Sequence, residues 1–360
     1  MQNKIDKMDL NTRNRIMLFP KLNKIIILIF AVAFVLAALY GYRLFGYTFD
    51  ENVKNAGSIT IPENASFEQV LDSISKQDIL INEKAFKWVA KKKNYPSFIK
   101  AGKYVFTKGM NTNAIVNMLK AGNQKPVTVT FNNVRFMEDL AGKVAKYIAP
   151  DSAALINYLR SPEVIAQYGF DQHSFHAMFI PNTYEMYWTT TPEQFVDRMN
   201  AEYRRFWNPQ RLAKADSLGL TPAQAITLAS IVQEETIKAD EKPVVAGLYL
   251  NRIRKGMLLQ ADPTVKYALG DFSIQRILTK QLEIDSPYNT YKFAGLPPGP
   301  INFPEISSID AVLNADNNKY LYMCAKEDFS GYHNFARTLS QHNANATRYR
   351  NALNANKIYK

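Results

Sequence analysis

The sequence predicts an α+β protein with a single N-terminal transmembrane helix, a small strand-helix-helix-strand module and a larger mixed α/β domain. Three observations predict it. Residues 25–42 form an uncharged apolar run, residues 57–125 alternate short strand patterns with amphipathic helix patterns, and residues 126–360 mix both with one long proline-rich loop. The 47% hydrophobic and 12% aromatic residues in a chain of 360 are enough for real cores.

The apolar run is predicted to anchor the chain in a membrane. As a helix, Ile25–Tyr42 would be about 27 Å long, which is enough to cross a hydrocarbon core of about 30 Å. No small-x-small cleavage site follows it, so we expect an uncleaved anchor. Residues 1–24 form a basic tail that should stay in the cytoplasm. Residues 43–56 would then be a linker, and the rest of the chain would lie outside.

The formal charge of +12 is compatible with nucleic acid, an anionic membrane surface or an acidic polymer. The densest basic patch comprises Lys84, Lys87 and residues 91–93. A solvated helix face explains it at least as well as a nucleic-acid site, and no nucleic-acid motif accompanies it. The predicted topology also places this patch outside the cytoplasm, so we predict no nucleic-acid partner. Cys324 is the only cysteine, which excludes an intramolecular disulfide and a cysteine-rich zinc site.

Two segments about 69 residues apart share one pattern. Residues 58–80 predict a strand, a turn and an amphipathic helix, and residues 127–149 repeat that order. Between them, residues 101–122 predict a strand, a turn at Gly109 and a helix closed by Gly122. Such small modules serve either as plain scaffold or as ligand-binding units, and the pattern leaves both open.

Residues 150–220 are predicted to be mostly helical, with a turn at residues 181–184. His173 and His176 are three residues apart, a spacing that can bring two imidazoles together. The apolar neighbours Phe175 and Phe179 favour packing instead, and no further histidine lies at metal-motif spacing. We therefore predict no metal site.

The segment from Thr221 to Asp240 predicts the central helix. Thr221 suits the N-cap, Pro222 the first helical position and Gln224 the capping box. On a helical wheel Glu235 falls on the apolar side, where desolvation raises the pKa of a carboxyl group toward the range of a general acid. Glu234 falls on the polar side and should be a solvated carboxylate. Alternatively, Glu235 is a rim glutamate or pairs with a buried Lys or Arg.

Polar groups that follow this helix are candidates for substrate contacts. Residues 258–270 predict an extended stretch that carries Gln260, Asp262 and Thr264. Residues 286–307 contain four prolines after residue 296, so we predict an ordered surface loop, and ordered loops of this length are usually functional. A helix at 307–314, a strand at 319–325 and a basic terminal helix complete the chain. His333 lies just past a turn at Gly331, where a hydrogen bond within the turn and a role in a site are both open.

A lone helical glutamate among aromatic and amide side chains suits cleavage of carbohydrate. The segments IVQEET, NRIRKGMLLQADPTVKYALG, SPYNTYKFAGLPPGPI and FSGYHNFARTLSQH, in this order, resemble the MltG (YceG-like) family of endolytic murein transglycosylases. The resemblance covers almost the whole chain after the anchor. It implies a bacterial cytoplasmic (inner) membrane protein with a LysM-like module at 57–125 and a YceG-like catalytic domain at 126–360, facing the cell wall on the extracytoplasmic or periplasmic side.

The chain departs from the family pattern in two places. The family usually has two acidic residues separated by one position after Ile-Val, where this chain has Gln233 and Glu235. Gln233 cannot donate a proton, so the resemblance implies that Glu235 is the acid. In HAMFIPNTYE, relatives more often have a glycine and an acidic residue, which leaves the role of that segment open.

The resemblance implies cleavage of the β-1,4 bond between N-acetylmuramic acid and N-acetylglucosamine to give 1,6-anhydromuramyl ends, with Glu235 as acid and then base. Such cleavage would terminate or trim glycan elongation. We predict sugar contacts from Gln260, Asp262, Thr264, Tyr291, Asn334 and Phe335. Asp262 would orient substrate or stabilise positive charge, or it would only cap a turn before Pro263. No cofactor is expected; the expected partners are glycan strands, the membrane and cell-wall synthases. The alternative function is a non-catalytic glycan-binding adapter of cell-wall synthesis.

Overall fold

The computed structural model describes residues 10–274 and 277–356. The chain divides into two compact units, which meet in sequence between Lys125 and Pro126. Both contain helices and two-stranded antiparallel sheets, so the predicted mixture of helix and strand is confirmed.

The first unit begins with one long helix, α1 (Leu10–Phe49). Its stretch Lys24–Phe49 is long and apolar enough to cross a membrane, and its side chains are not buried in the protein. The first nine residues of the predicted basic tail lie outside the described residues. The predicted linker at 43–56 is wrong in its first half, because the helix continues to Phe49. Aromatic residues continue the apolar pattern there and offer no helix stop.

The rest of this unit begins with the predicted order of strand, helix, helix and strand, and a further helix follows the second strand. Its elements are β1 (Gly57–Ile61), α2 (Phe67–Lys76), α3 (Glu83–Lys92), a short 3-10 turn (Tyr95–Ser97), β2 (Gly102–Phe106) and α4 (Thr112–Ala121). Strands β1 and β2 pair antiparallel from Gly57 opposite Phe106 to Ile61 opposite Gly102. Helix α4 ends at Gly122, whose φ of 77° is the left-handed conformation that a glycine cap provides.

The basic patch lies on α3. Phe86 and Val89 of this helix are buried in the core of the unit, while Lys84, Lys87 and Lys91 are exposed. The lysines therefore form the solvated face of an amphipathic helix.

The second unit begins with a β-strand. The strand that pairs with it includes residues that the sequence analysis predicted to form a turn. Its first elements are β3 (Val127–Phe131), α5 (Met137–Val144), α6 (Ser152–Leu159), α7 (Pro162–Gln167), a 3-10 turn (Phe175–Met178), β4 (Asn182–Met186), α8 (Pro192–Phe206) and α9 (Pro209–Ser217). The predicted turn at 181–184 is wrong, because β4 pairs antiparallel with β3. Tyr184 and Met186 alternate with exposed residues as a half-buried strand requires.

The elements that carry the site follow. They are α10 (Pro222–Glu235), α11 (Lys242–Arg254), α12 (Asp262–Leu269), a 3-10 turn (Thr279–Glu283), α13 (Ile306–Leu313), β5 (Tyr322–Ala325), β6 (His333–Ala336) and α14 (Leu339–Ala355). The predicted extended stretch at 258–270 is wrong over α12, where Pro263 occupies the first turn of a helix. The proline-rich stretch between Ser286 and Glu305 is irregular, as predicted.

Helix α10 is the buried centre of this unit. Ala225, Ile226, Leu228, Ile231 and Val232 are each at most 1% exposed. They pack in one core with residues of α11 and α13. Burial on several sides holds the C-terminal end of α10 in a fixed position, and that end carries the glutamates.

Candidate active site

The sequence determines locally where α10 begins. Thr221 Oγ1 accepts a hydrogen bond from the backbone N–H of Gln224, and Gln224 Oε1 accepts one from the backbone N–H of Thr221. Pro222 occupies the first turn. The predicted capping box is therefore confirmed, and it sets the phase in which residues 233–235 reach the end of the helix.

Glu235 is the last residue of α10, and its carboxyl group is desolvated. The Tyr249 hydroxyl of α11 donates a hydrogen bond of 2.6 Å to Glu235 Oε1. Burial raises the pKa of Glu235 from its ordinary value of 4.5 to about 7. The Tyr249 hydrogen bond lowers this pKa, the Asp262 charge raises it, and His333 and Arg252 lower it, but desolvation is the largest effect. Near neutral pH, Glu235 can both give and accept a proton.

Glu234 has pairing partners that the sequence did not predict. Arg135 Nη2 donates to both carboxylate oxygens of Glu234 at 2.8 and 2.9 Å, and Asn302 Nδ2 donates to Oε1 at 2.7 Å. Its side chain is 29% exposed. Glu234 is therefore exposed, as predicted, but it is also paired: it ties α10 to the segments that carry Arg135 and Asn302.

Gln233 stabilises the start of α13. Its Oε1 accepts hydrogen bonds from the backbone N–H of Glu305 at 2.7 Å and from Ser308 Oγ at 3.0 Å. The buried Lys242 also donates to Ser308 Oγ, at 2.9 Å. The amide at position 233 thus satisfies a backbone donor at a helix N-terminus, where free N–H groups need partners.

We expect Gln233→Ala to lower the free energy of unfolding by about 1 kcal/mol, because it removes a side-chain acceptor at a helix N-terminus. For a unit of this size the melting temperature should fall by about 2–4 °C, measured by circular dichroism of the full chain in detergent. Gln233→Glu is the matched control, since a carboxylate keeps the acceptor and suits the helix dipole. A similar loss of stability in both variants would contradict the capping role.

The acid lines a polar cleft of about 260 Å³ in the second unit. The residues that line it are Glu235, Leu248, Tyr249, Arg252, Leu259, Gln260, Asp262, Tyr291, Met323, Cys324, Ala325 and His333. Four of the predicted site residues, Glu235, Gln260, Asp262 and Tyr291, therefore meet in one cleft. Asp262 does not cap a turn through its side chain. It begins α12, and its Oδ1 accepts a hydrogen bond of 2.6 Å from the Tyr291 hydroxyl.

The other three predicted contacts are placed elsewhere. Thr264 is fully buried, and its hydroxyl is bonded to the Ala261 carbonyl and to Thr290 Oγ1. Asn334 Nδ2 donates to Glu327 Oε2 at 2.7 Å. Phe335 packs on Tyr320, with 5.4 Å between the ring centroids. Thr264 lies behind the cleft wall and holds the start of α12, while Asn334 and Phe335 flank His333 without lining the cleft.

Sequence reasoning missed Tyr249 and Arg252. Arg252 is 7% exposed, and its guanidinium donates to the carbonyls of Leu321 at 2.6 Å and of Leu259 at 2.8 Å. It fixes β5 and the chain before α12 around the cleft and supplies a positive charge near Glu235. The sequence gives no signal of this role, because Arg252 follows Asn251 and is followed after one residue by Arg254 and Lys255, as on an ordinary solvated helix end.

His333 contributes to the cleft through a buried carboxylate. Glu241 accepts from the His333 backbone N–H at 2.7 Å, and its Oε2 lies 3.0 Å from His333 Nδ1. The Thr236 hydroxyl donates to the same Oε2 at 3.2 Å. Of the two alternatives left open for His333, the hydrogen bond within its own turn is wrong, and a role in a site stays a prediction, although His333 lines the cleft. Its partner lies 92 residues away and not in its own turn.

His176 lies in the 3-10 turn at Phe175–Met178, and His173 comes just before that turn. Within residues 10–274 and 277–356, no group of three or more His, Cys, Asp and Glu side chains is placed to hold a metal ion. His176 packs against Phe303, as its apolar neighbours suggested.

These features define a class of site: one desolvated carboxylic acid at a helix end, facing a polar cleft that also holds a second carboxylate, a buried arginine and a fixed imidazole. The sequence model of the YceG-like family matches residues 59–348 of this chain. The chain belongs to the YceG-like family.

Individual relatives agree with this assignment. The endolytic murein transglycosylase of Bacillus subtilis (strain 168) is 31% identical over 333 residues, which cover 88% of this chain and 91% of the relative. That of Streptococcus pneumoniae serotype 2 is 27% identical over 350 residues, which cover 84% of this chain and 61% of the relative. A crystal structure of a yceG-like protein from Listeria monocytogenes, 27% identical, superposes with a TM-score of 0.53 and covers 81% of this chain and 99% of its own.

The resemblance seen in the sequence motifs is therefore confirmed at the level of the family, and with it membership in a group whose named enzymes are murein transglycosylases. The LysM-like character of residues 57–125 stays a prediction.

Proposed function

We propose that this protein is a membrane-anchored endolytic lytic transglycosylase of peptidoglycan, with Glu235 as its single catalytic acid and base. The observation that carries the proposal is the Glu235 carboxyl, whose pKa of about 7 lies in the range of an efficient proton donor at neutral pH. The names of the relatives supply the substrate: both curated proteins are endolytic murein transglycosylases.

The first step is cleavage of the β-1,4 bond between N-acetylmuramic acid and N-acetylglucosamine. Because the Tyr249 hydroxyl donates to Oε1, the acidic proton resides on Oε2 of Glu235. That proton passes to the glycosidic oxygen as the bond to C1 of the muramyl ring breaks. The positive charge that develops on the ring is stabilised by Asp262, whose orientation is fixed by Tyr291.

In the second step the Glu235 carboxylate takes the proton from the muramyl C6 hydroxyl while that oxygen bonds to C1. The product is a 1,6-anhydromuramyl end, no water is consumed, and Glu235 is protonated again. Arg252 stabilises the carboxylate that exists between the two steps, because it is a fixed cation whose charge favours the ionised form. Gln260 and His333 line the cleft, and in this proposal they bind sugar hydroxyl and acetamido groups.

The test is digestion of purified glycan strands with the full chain in detergent, followed by mass spectrometry of the ends. We expect 1,6-anhydromuramyl ends within the strand. Reducing muramyl ends would show a hydrolase instead, and binding without any cleavage would show the non-catalytic adapter. A reporter fused to the C-terminus, active only outside the cytoplasm, tests the proposed orientation of the anchor and access to the cell wall and its synthases.

Tyr249→Phe should move the pH dependence of cleavage. The Tyr249 hydrogen bond lowers the pKa of Glu235, so its removal should raise that pKa above about 7. The acid must be protonated in the free enzyme, and kcat/KM should therefore fall at a higher pH in the variant than in the parent. Initial rates between pH 5 and 9 measure this. If kcat/KM fell at the same pH in the variant and the parent, Tyr249 would have no effect on the pKa of the catalytic acid.

A further inference from the structure

A second cavity of the same unit has no role in the cleavage chemistry proposed above. It encloses about 380 Å³. Aromatic and imidazole rings dominate its wall, above an apolar floor. The residues that line it are Phe136, Met137, Glu138, Leu159, Arg160, Ile165, Gln172, His173, Phe175, His176, Tyr267 and Tyr288. We call it the aromatic-imidazole pocket.

The pocket is separate from the Glu235 cleft but is built on the same two segments. Helix α12 contributes Asp262 to the cleft and Tyr267 to the pocket, about 7.5 Å apart along the helix axis. The loop before α13 likewise contributes Tyr291 to the cleft and Tyr288 to the pocket. A chain-like ligand that leaves the cleft across α12 would reach the pocket.

His176 is the unsatisfied polar group of this pocket. Its Nδ1 is enclosed and has no hydrogen-bond partner among the described residues. Burial lowers the pKa of His176 to about 4, so the imidazole is neutral at neutral pH and has one donor and one acceptor. Buried polar groups in proteins are normally paired, and His176 lines the pocket, so its ring can form a hydrogen bond with a ligand bound there.

The remaining lining indicates an uncharged ligand with apolar faces. Phe136, Tyr267 and Tyr288 form a continuous wall, with ring centroids 5.8 Å apart for the first pair and 4.7 Å for the second. The two charged side chains of the lining, Glu138 and Arg160, form an ion pair with each other. Neither is therefore left to bind an ionised group. Aromatic surface next to a neutral donor and acceptor matches a pyranose ring with an acetamido group.

We propose that the aromatic-imidazole pocket binds a neutral N-acetylhexosamine residue, of the N-acetylglucosamine type, that belongs to the same glycan strand the Glu235 cleft holds. This rests on the proposed function for the identity of the strand. The sugar packs on the wall formed by Phe136, Tyr267 and Tyr288, and His176 forms a hydrogen bond to its acetamido or hydroxyl groups. The enzyme then holds the strand at two separate places, which suits cleavage within a strand and not at its end.

The test measures binding and not cleavage. The full chain carrying Glu235→Gln is titrated in detergent with peptide-free glycan strands, by calorimetry. We expect His176→Phe to weaken binding about 3- to 10-fold, the loss of one neutral hydrogen bond. His342→Phe is the matched control, because the His342 Nδ1 is also enclosed without a partner but lines neither cavity.

A second substitution is made at the exposed rim of the pocket, where a change of side chain should not affect folding. Gln172 is exposed on the pocket rim, and Gln172→Trp should block entry and weaken binding about 10-fold or more. Gln210→Trp, exposed on α9 away from the pocket, should leave binding unchanged. If both His176→Phe and Gln172→Trp bound the strands with unchanged affinity, the proposal that this pocket binds a sugar would be contradicted. The proposed function would not be affected. An effect seen only with strands that carry stem peptides would overturn the sugar assignment. Cleavage by Glu235→Gln at a rate close to that of the parent would instead contradict the proposed function.

Discussion

Glu235→Gln is expected to reduce cleavage of glycan strands by about 10³-fold or more. General acid-base catalysis contributes about 10²- to 10⁴-fold in a single step, and here one side chain serves both proton transfers. Glutamine has the same shape but no transferable proton, and it can still accept the Tyr249 hydrogen bond. The measurement is the release of 1,6-anhydromuramyl products by the full chain in detergent, quantified by mass spectrometry.

Glu234→Gln is the matched control, one position earlier on the same helix. Its side chain is paired with Arg135 and Asn302 and does not line the Glu235 cleft. We expect a modest loss of stability and activity within a few fold of the parent. If Glu234→Gln abolished cleavage while Glu235→Gln retained it, the assignment of the acid would be reversed.

The features of α10 that depend on near neighbours could be predicted from the sequence. The capping box of Thr221 and Gln224 spans three residues, and it sets the helical phase that puts Glu235 on the apolar side. The pairing of Glu234 was not predicted because its partners Arg135 and Asn302 lie 99 and 68 residues away in the sequence. Periodicity reports the face of a helix, but it does not report which distant side chain meets that face.

The candidate sugar contacts show the same limit. Asp262 and Tyr291 were chosen separately from two segments, and the structure joins them by a hydrogen bond across 29 residues. Thr264 was chosen on the assumption of an extended stretch, in which it would share a face with Asp262. In helix α12 those two residues point to different sides, and Thr264 becomes a buried support. The proline at position 263 was the local signal that favoured a helix start.

Stability should reveal the raised pKa of Glu235 independently of catalysis. The folded protein favours the protonated acid, with a pKa of about 7 against an ordinary value of 4.5. The stabilisation of the folded state is therefore fully present below pH 4.5, falls as the unfolded chain ionises, and is lost once the pH passes about 7. The difference corresponds to about 3 kcal/mol as an upper value, since each pKa unit is worth about 1.4 kcal/mol.

Glu235→Gln removes this titration, so the variant should be at most slightly different from the parent near pH 4.5 and more stable than it near pH 8. With about 2–4 °C per kcal/mol for a unit of this size, the melting temperatures should diverge by several degrees as the pH rises. Asp262, Arg252 and His333 are present in both proteins, so the difference between the two profiles reports Glu235. Parallel pH profiles would mean that the Glu235 carboxyl is solvated, and both its raised pKa and its role as proton donor would then be contradicted by a measurement that needs no substrate.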